Sequence, residues 1–298
     1  MKVRVGYGLG TRTITNDAER FAALVDGLEA LRFDSLWLSE KITDDCPDPV
    51  VALSFAAART TKLKLGTSVM VLPGRNPMLL AKELASLDRL SGGRLLPAFG
   101  LGQVDPAEQQ AFGVERTERA KRFDEAMPLL RRFWTEDAVD HEGTFFRYEG
   151  ARVRPRPVQQ PIEIWLGGVA PSELRRTGRL GDGWLPSFCT PDDVAAGRPE
   201  IERIAAEHDR EIDPEHFGAL VPYAIDGIPD VLAAFLAKRR PDVEVHDVVA
   251  PSVGALAPLL ERFIAVGASK FVAVPIGEPA DWSTHLAEVA DVVKPLQT

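Results

Sequence analysis

The fold is decided by Leu63-Lys64-Leu65-Gly66-Thr67-Ser68-Val69-Met70-Val71-Leu72, together with Pro73-Gly74, residues 76–90, Ser91-Gly92-Gly93 and residues 94–99. The first ten residues are rich in apolar and β-branched side chains and stop at Pro-Gly, which reads as a strand. Residues 76–90 carry apolar side chains at helical spacing, and Pro77 suits a first helical position. Ser91-Gly92-Gly93 ends that helix, and residues 94–99 are apolar again. Strand, helix and strand in immediate succession form a crossover unit, and crossovers join parallel neighbours.

The same alternation extends in both directions. Residues 3–9 read as a strand, and residues 17–31 as a helix with Phe21, Leu24, Val25 and Leu28 on one face, capped by Asn16 or Asp17. Residues 34–38 read as a strand and 49–60 as a helix. Downstream, residues 118–134 predict a helix with Phe123, Met127, Leu130 and Phe133 on its apolar face. The pattern then breaks. Residues 139–153 predict a small β-hairpin, with Glu142-Gly143 and Glu149-Gly150 as turn signals flanking residues 144–148. Arg154-Pro155-Arg156-Pro157 and Gln159-Gln160-Pro161 form an extended linker. Strands are expected again at 162–166, 183–185, 217–225 and 270–276. Helices are expected at 172–180, 191–209, 229–238, 253–267 and 281–296.

Eight strands interleaved with helices predict an α/β fold of the (β/α)8 TIM-barrel type with insertions, in one domain spanning 1–298. The hairpin is the excursion between strands 4 and 5. A doubly wound dinucleotide fold needs Gly-x-Gly-x-x-Gly after its first strand. Here Gly8-Leu9-Gly10-Thr11-Arg12-Thr13 lacks the third glycine.

Composition narrows the function. Of 298 residues, 45% are hydrophobic and 27% charged, with a net charge of −9. That balance argues against disorder, and against nucleic acid or anionic membranes as bulk partners. No apolar run approaches the roughly 20 residues of a membrane span, and no leader is visible, so a cytoplasmic protein is expected. Cys46 and Cys189 make neither a disulfide framework nor a zinc motif, and no metal site is expected.

In a barrel, chemistry sits at the C-terminal strand ends. Those positions are Tyr7, Gly8 and Gly10; Ser39, Glu40 and Lys41; Ser68 and Val69; Gly100, Gly102 and Gln103; Gly167, Gly168 and Val169; Pro186, Ser187 and Phe188; and Tyr223. Gly167-Gly168 precedes a helix start, where free N–H groups and the dipole suit a phosphate, although a tight turn alone would use the same residues. Glu40-Lys41 can act as base and anion holder, or be a solvated surface pair. There is no nucleophile elbow, P-loop lysine or carboxylate cluster. Glycines with few ionisable groups suit an enzyme whose cofactor does the chemistry.

Phe33-Asp34-Ser35-Leu36-Trp37-Leu38-Ser39-Glu40 resembles a signature of the luciferase-like flavin and deazaflavin oxidoreductases. So do Leu65-Gly66-Thr67-Ser68-Val69, Pro73-Gly74-Arg75-Asn76-Pro77, Leu87-Asp88-Arg89-Leu90-Ser91-Gly92-Gly93-Arg94, Phe99-Gly100-Leu101-Gly102, Trp165-Leu166-Gly167-Gly168 and Gly181-Asp182-Gly183-Trp184. The resemblance spans most of the chain, is weakest over 192–249, and is strongest to the F420-dependent branch. It implies a TIM barrel with a flavin-like ring at its mouth and coenzyme F420 as the hydride carrier for a small-molecule substrate. An FMN-dependent monooxygenase is the alternative. It further implies a non-proline cis peptide at Ser68-Val69, cofactor-lining backbone at Gly100 and Gly102, and a phosphate site at Gly167, Gly168 and Val169. Members are often dimers, so a homodimer is expected.

The chain also departs from its relatives. Lys41 stands where many have His. Gln103 stands where F420-dependent glucose-6-phosphate dehydrogenases have a catalytic Glu. The segment Pro186-Ser187-Phe188-Cys189-Thr190 lacks their phosphate-binding Lys. Sugar phosphate is therefore not the expected substrate. Glu40, Lys41 and Gln103 remain the candidate catalytic residues, with Lys41 as a proton donor.

Overall fold

The computed structural model describes residues 1–11 and 17–298. The chain opens with β1 (Arg4–Leu9), α1 (Ala18–Ala30), β2 (Ser35–Leu38) and α2 (Pro49–Arg59). Asp17 caps α1 by accepting from the N–H groups of Glu19 and Arg20; Asn16, the alternative cap, lies outside the described residues. The strand expected at 63–72 is two pieces, β3 (Lys64–Thr67) and β4 (Met70–Val71), interrupted at a cis Ser68-Val69 peptide. After α3 (Pro77–Ser91), the next strand is also divided, into β5 (Leu95–Leu96) and β6 (Ala98–Gly100). Pro97 lies between them and has no N–H to give a ladder. The Thr67 hydroxyl spans this gap: it donates to the Ala98 carbonyl at 2.7 Å and accepts from the Ala98 N–H at 2.8 Å.

Next come α4 (Pro106–Phe112), which the sequence pattern does not disclose, and α5 (Arg119–Thr135). The hairpin excursion is present as β7 (Val139–Glu142) and β8 (Arg147–Ala151). Its turn occupies 143–146, so Glu149-Gly150 lies within β8, opposite a register shift, and is not a turn. Glu125 of α5 holds the true turn, accepting from the N–H groups of Thr144, Phe145 and Phe146. The linker after β8 is anchored by the buried Asp88 carboxylate of α3, which accepts from the N–H groups of Val158 and Gln159.

The chain continues through β9 (Trp165–Leu166), α6 (Pro171–Leu180), β10 (Gly183–Trp184), α7 (Pro191–Ala206) and β11 (Gly218–Ala224). It closes with α8 (Asp230–Arg239), α9 (Val245–Val248), α10 (Leu256–Ala265), β12 (Lys270–Ile276) and α11 (Trp282–Val293). The ladders of both larger sheets are parallel, in the orders β11-β12-β1-β2-β3-β5 and β10-β9-β6-β4. The interrupted strands join the sheets on one side. On the other, bridges Trp184–Phe217 and Ser187–Leu220 link β10 to β11. Eight strand positions thus follow one another around a TIM-type barrel.

Residues of non-neighbouring strands meet inside it. Trp37 of β2 and Trp165 of β9 contact edge to face at 6.0 Å, with Leu96, Ala98, Leu185 and Val272 around them. Gly66 is required there: a Cβ at that position would lie 2.3 Å from the Trp37 ring. At the N-terminal end of the strands, buried Lys270 pairs with Asp34. A separate apolar cluster of Leu236, Val248 and Val249 packs with Phe188, Leu232 and Ile276. Ile276 shares the inward-facing parity of Val272 and Val274, so this cluster adjoins the mouth.

Candidate functional site

The C-terminal ends of β2, β4, β6 and β9 bring most of the candidate residues into one region. Ser39 and Glu40, just past β2, hold the interruption between β3 and β4. The Ser39 hydroxyl donates to the Ser68 carbonyl at 2.9 Å, and the Glu40 N–H reaches the Val69 carbonyl at 3.3 Å. The Glu40 carboxylate is buried and has both oxygens engaged. One accepts from the Val71 N–H at 2.7 Å, and the other from the Arg75 guanidinium. Burial pushes its pKa up, while Arg75 and the Val71 N–H act in the opposite direction. Glu40 therefore fixes backbone as it stands.

Val69 forms the floor of this region. Its Cγ2 would lie 2.6 Å from a Cβ on Gly100, so only glycine admits the Val69 side chain there. Gly102, at φ +83°, sits against Val71 and the Arg119 guanidinium. Arg119 is buried and donates to the Gln103 carbonyl; the Gln103 side chain is exposed at the rim. Sequence reasoning misses Arg119, because a single arginine at the start of a helix carries no pattern.

Lys41 is turned into different company. Its ammonium bonds Asp44 at 2.6 Å, with Asp105 and Glu108 contributing further negative charge. The hydrogen bond to Asp44, more than anything else, raises its pKa, so Lys41 stays charged. Glu108 is itself buried and accepts from the Thr43 N–H and hydroxyl, both at 3.0 Å. Two of the cations near the mouth, Lys41 and Arg75, are each matched by a carboxylate.

The fifth strand end is the sharpest turn. Gly168 takes φ +88°, its carbonyl accepts from Trp184 Nε1 at 2.9 Å, and a Cβ there would fall 2.2 Å from Glu173 Oε2. Among the described residues, none accepts from the N–H of Gly168 or Val169. The next N–H, that of Ala170, donates to Glu173 Oε2 at 2.9 Å. Glu173 is the third residue of α6, where a carboxylate reaches back to the helix start. The Pro-Ser-Glu spacing is the sequence signal that could have found it. Glu173 and Arg176 line a small cleft, about 50 Å³, with Phe99, Gly100, Leu166 and Gly167. Arg176 is held by Asp124 at 2.7 Å. The exposed amides and the positive-φ glycine fit a phosphate group; the adjacent Glu173 carboxylate constrains which one.

Two expected mouth residues lie elsewhere. Gly6 and Gly8 face the barrel interior, so Tyr7 between them faces the helices. Its hydroxyl meets that of Tyr223 at 2.8 Å, and Tyr223 meets His285 Nε2 of α11 at 2.7 Å. All three side chains are buried between sheet and helix. A larger surface cleft of about 370 Å³, lined by Pro106, Gln109 and Glu115 among others, touches none of the strand-end residues. Among the described residues, no cluster of His, Cys, Asp and Glu could hold a metal, and no helix is long and apolar enough to cross a membrane.

Known proteins share this architecture. An F420-dependent glucose-6-phosphate dehydrogenase of Kineococcus radiotolerans is 33% identical over 162 residues, 51% of this chain and 47% of its own. The chain thus spans about half the length of that curated relative. A solved F420-dependent secondary alcohol dehydrogenase, in complex with an F420-acetone adduct, superposes with TM-score 0.83 at 19% identity over the whole of both chains. The oxygenating constituent of 3,6-diketocamphane monooxygenase from Pseudomonas putida, in complex with FMN, gives 0.78 at 16% identity, covering 100% of this chain and 99% of its own. An F420-dependent dehydrogenase therefore stands among its sequence relatives, and F420-dependent and FMN-binding oxidoreductases share its fold. The sequence profile of luciferase-like monooxygenases matches residues 2–239. With the barrel, the divided third strand and the glycine-lined mouth, that match means that the chain belongs to the luciferase-like monooxygenase family.

Proposed function

We propose that this protein is an F420-dependent oxidoreductase that moves a hydride to or from a small organic substrate. The observation that carries the reading is the mouth itself: an apolar, glycine-rich floor beside which Glu40 and Lys41 are already paired. Glu40 is matched by Arg75 and Lys41 by Asp44, so the protein offers little acid–base chemistry of its own. Such a site suits a bound carrier that brings the reactive atoms.

When bound, the deazaflavin supplies reversible hydride transfer. Ser68 and Val69 would back its ring, with Gly100 and Gly102 lining it. Gly167, Gly168 and Val169 would hold the tail phosphate through their N–H groups. Lys41, held as a cation beside Asp44, would orient an oxygen of the substrate and donate a proton to it. Gln103 offers an amide at the rim. Glu40 is a positioning residue, acting through Val71 and Arg75. A single cytoplasmic domain working as a homodimer completes the proposal.

Titration with F420, followed by fluorescence quenching, tests it. Micromolar binding is expected, together with oxidation or reduction of the carrier across a panel of ketones and alcohols. Binding of reduced FMN with no response to F420 would overturn the reading in favour of a monooxygenase. Binding of F420 without turnover on any substrate would identify a carrier-binding protein.

A further inference from the structure

We infer that Glu173 acts as a charge filter at the phosphate-binding turn, admitting a phosphodiester and disfavouring a phosphomonoester. The inference rests on the proposed tail site at Gly167, Gly168 and Val169. The side chain is in the right place: Oε2 holds the Ala170 N–H at 2.9 Å and would contact a Cβ on Gly168 at 2.2 Å. It thus occupies one end of the row of N–H groups that an anion needs, with a negative charge of its own. The cation that lines the cleft, Arg176, is itself held away by Asp124 at 2.7 Å. Arg179 also approaches Asp124, at 3.6 Å. The turn therefore presents two open amides, at Gly168 and Val169, beside a fixed carboxylate.

The two candidate carriers differ at this point. The phosphate of F420 is a diester with one negative charge, and its carboxylates lie further along the tail. The phosphate of FMN is a monoester that carries nearly two negative charges at neutral pH. Two amides and the helix dipole can balance a single charge. The second charge of a monoester meets Glu173 in a partly desolvated cleft, where like charges repel more strongly than in water. Glu173 thereby selects the carrier by charge, independently of the ring system above it.

The test compares wild type with Glu173→Gln, which keeps an acceptor for the Ala170 N–H and so preserves the helix start. Dissociation constants are measured for F420, FMN, dimethyl phosphate and phenyl phosphate, the last two by calorimetry. Glu173→Gln should strengthen FMN and phenyl phosphate by about tenfold or more. F420 and dimethyl phosphate, with half the charge, should gain only about the square root of that factor, roughly threefold for a tenfold change in the monoesters. Equal changes for monoester and diester, or none for either, would overturn the charge filter. If neither F420 nor FMN binds wild type, the proposed function fails, and the phenyl and dimethyl phosphate pair still judges Glu173. The thermal midpoint of Glu173→Gln, close to that of wild type, separates lost folding from altered selectivity.

Discussion

Replacing Arg75 with Met should expose how the mouth is held together. The Glu40 side chain is only 2% exposed, and Arg75 is 22% exposed. Removing the guanidinium leaves one carboxylate oxygen buried without its partner, while the Val71 N–H still serves the other. The bond from Arg75 Nε to the Val71 carbonyl, 3.0 Å, is lost as well. Breaking a buried pair from one side costs about 3–5 kcal/mol, and the remaining Val71 bond places this site near about 3 kcal/mol. For a chain of 298 residues, unfolding entropy near 2.1 cal/mol/K per residue makes that a fall of about 5 °C in Tm. The deficit must depend on pH. Without Arg75 the folded state disfavours the Glu40 anion further, so the penalty is complete only above its raised folded-state pKa. It shrinks as acid protonates the group. Calorimetry at pH 8 and pH 5 reads both effects. Adding Glu40→Gln should restore most of the loss, because a neutral amide still accepts from Val71. A Tm within about 1 °C of wild type, or a deficit identical at both pH values, would refute the pairing as the support of this segment.

Three further outcomes are expected. Arg32 sits at φ +57° just past α1, with the Phe33 N–H on the Leu28 carbonyl, so Arg32→Gly should raise stability by about 1 kcal/mol in urea unfolding. Gly66→Ala drives a methyl to 2.3 Å from the Trp37 ring and should cost about 1–3 kcal/mol or more, with altered tryptophan emission. Burial lowers the pKa of His285, so the unfolded chain takes a proton that the folded one refuses. Stability should hold above about pH 6.5 and fall as the pH drops below it. His285→Gln should remove that part of the slope.

Much of the barrel is legible in the sequence because its signals are local. The Pro73-Gly74 stop, Pro77 at the start of α3 and the Ser91-Gly92-Gly93 end are each properties of a few consecutive residues. The division at Pro97 is less visible, since the Thr67 hydroxyl that repairs it comes from another strand. Short α4 and α9 lack room for a periodic apolar face. At the site, the glycines stand out because chain position and φ demand them. The state of the charged groups does not. Whether Lys41 faces Glu40 or Asp44 depends on a loop, and Arg75 reaches Glu40 across 35 residues of chain. Tyr7 and Tyr223 are misplaced by sequence alone because strand parity, rather than nearness to the strand end, decides which way a side chain faces.

The apolar cluster of Leu236, Val248 and Val249 has a consequence for how such enzymes diversify. It is a small packing unit distinct from the main core, and distant, independent sites add without coupling. A substitution at Phe188, Leu232 or Ile276 therefore changes this cluster without disturbing the main core or the Lys270–Asp34 pair at the opposite end. Under the proposed function, mutational drift confined to this cluster would alter what the site accepts while the carrier side is inherited unchanged.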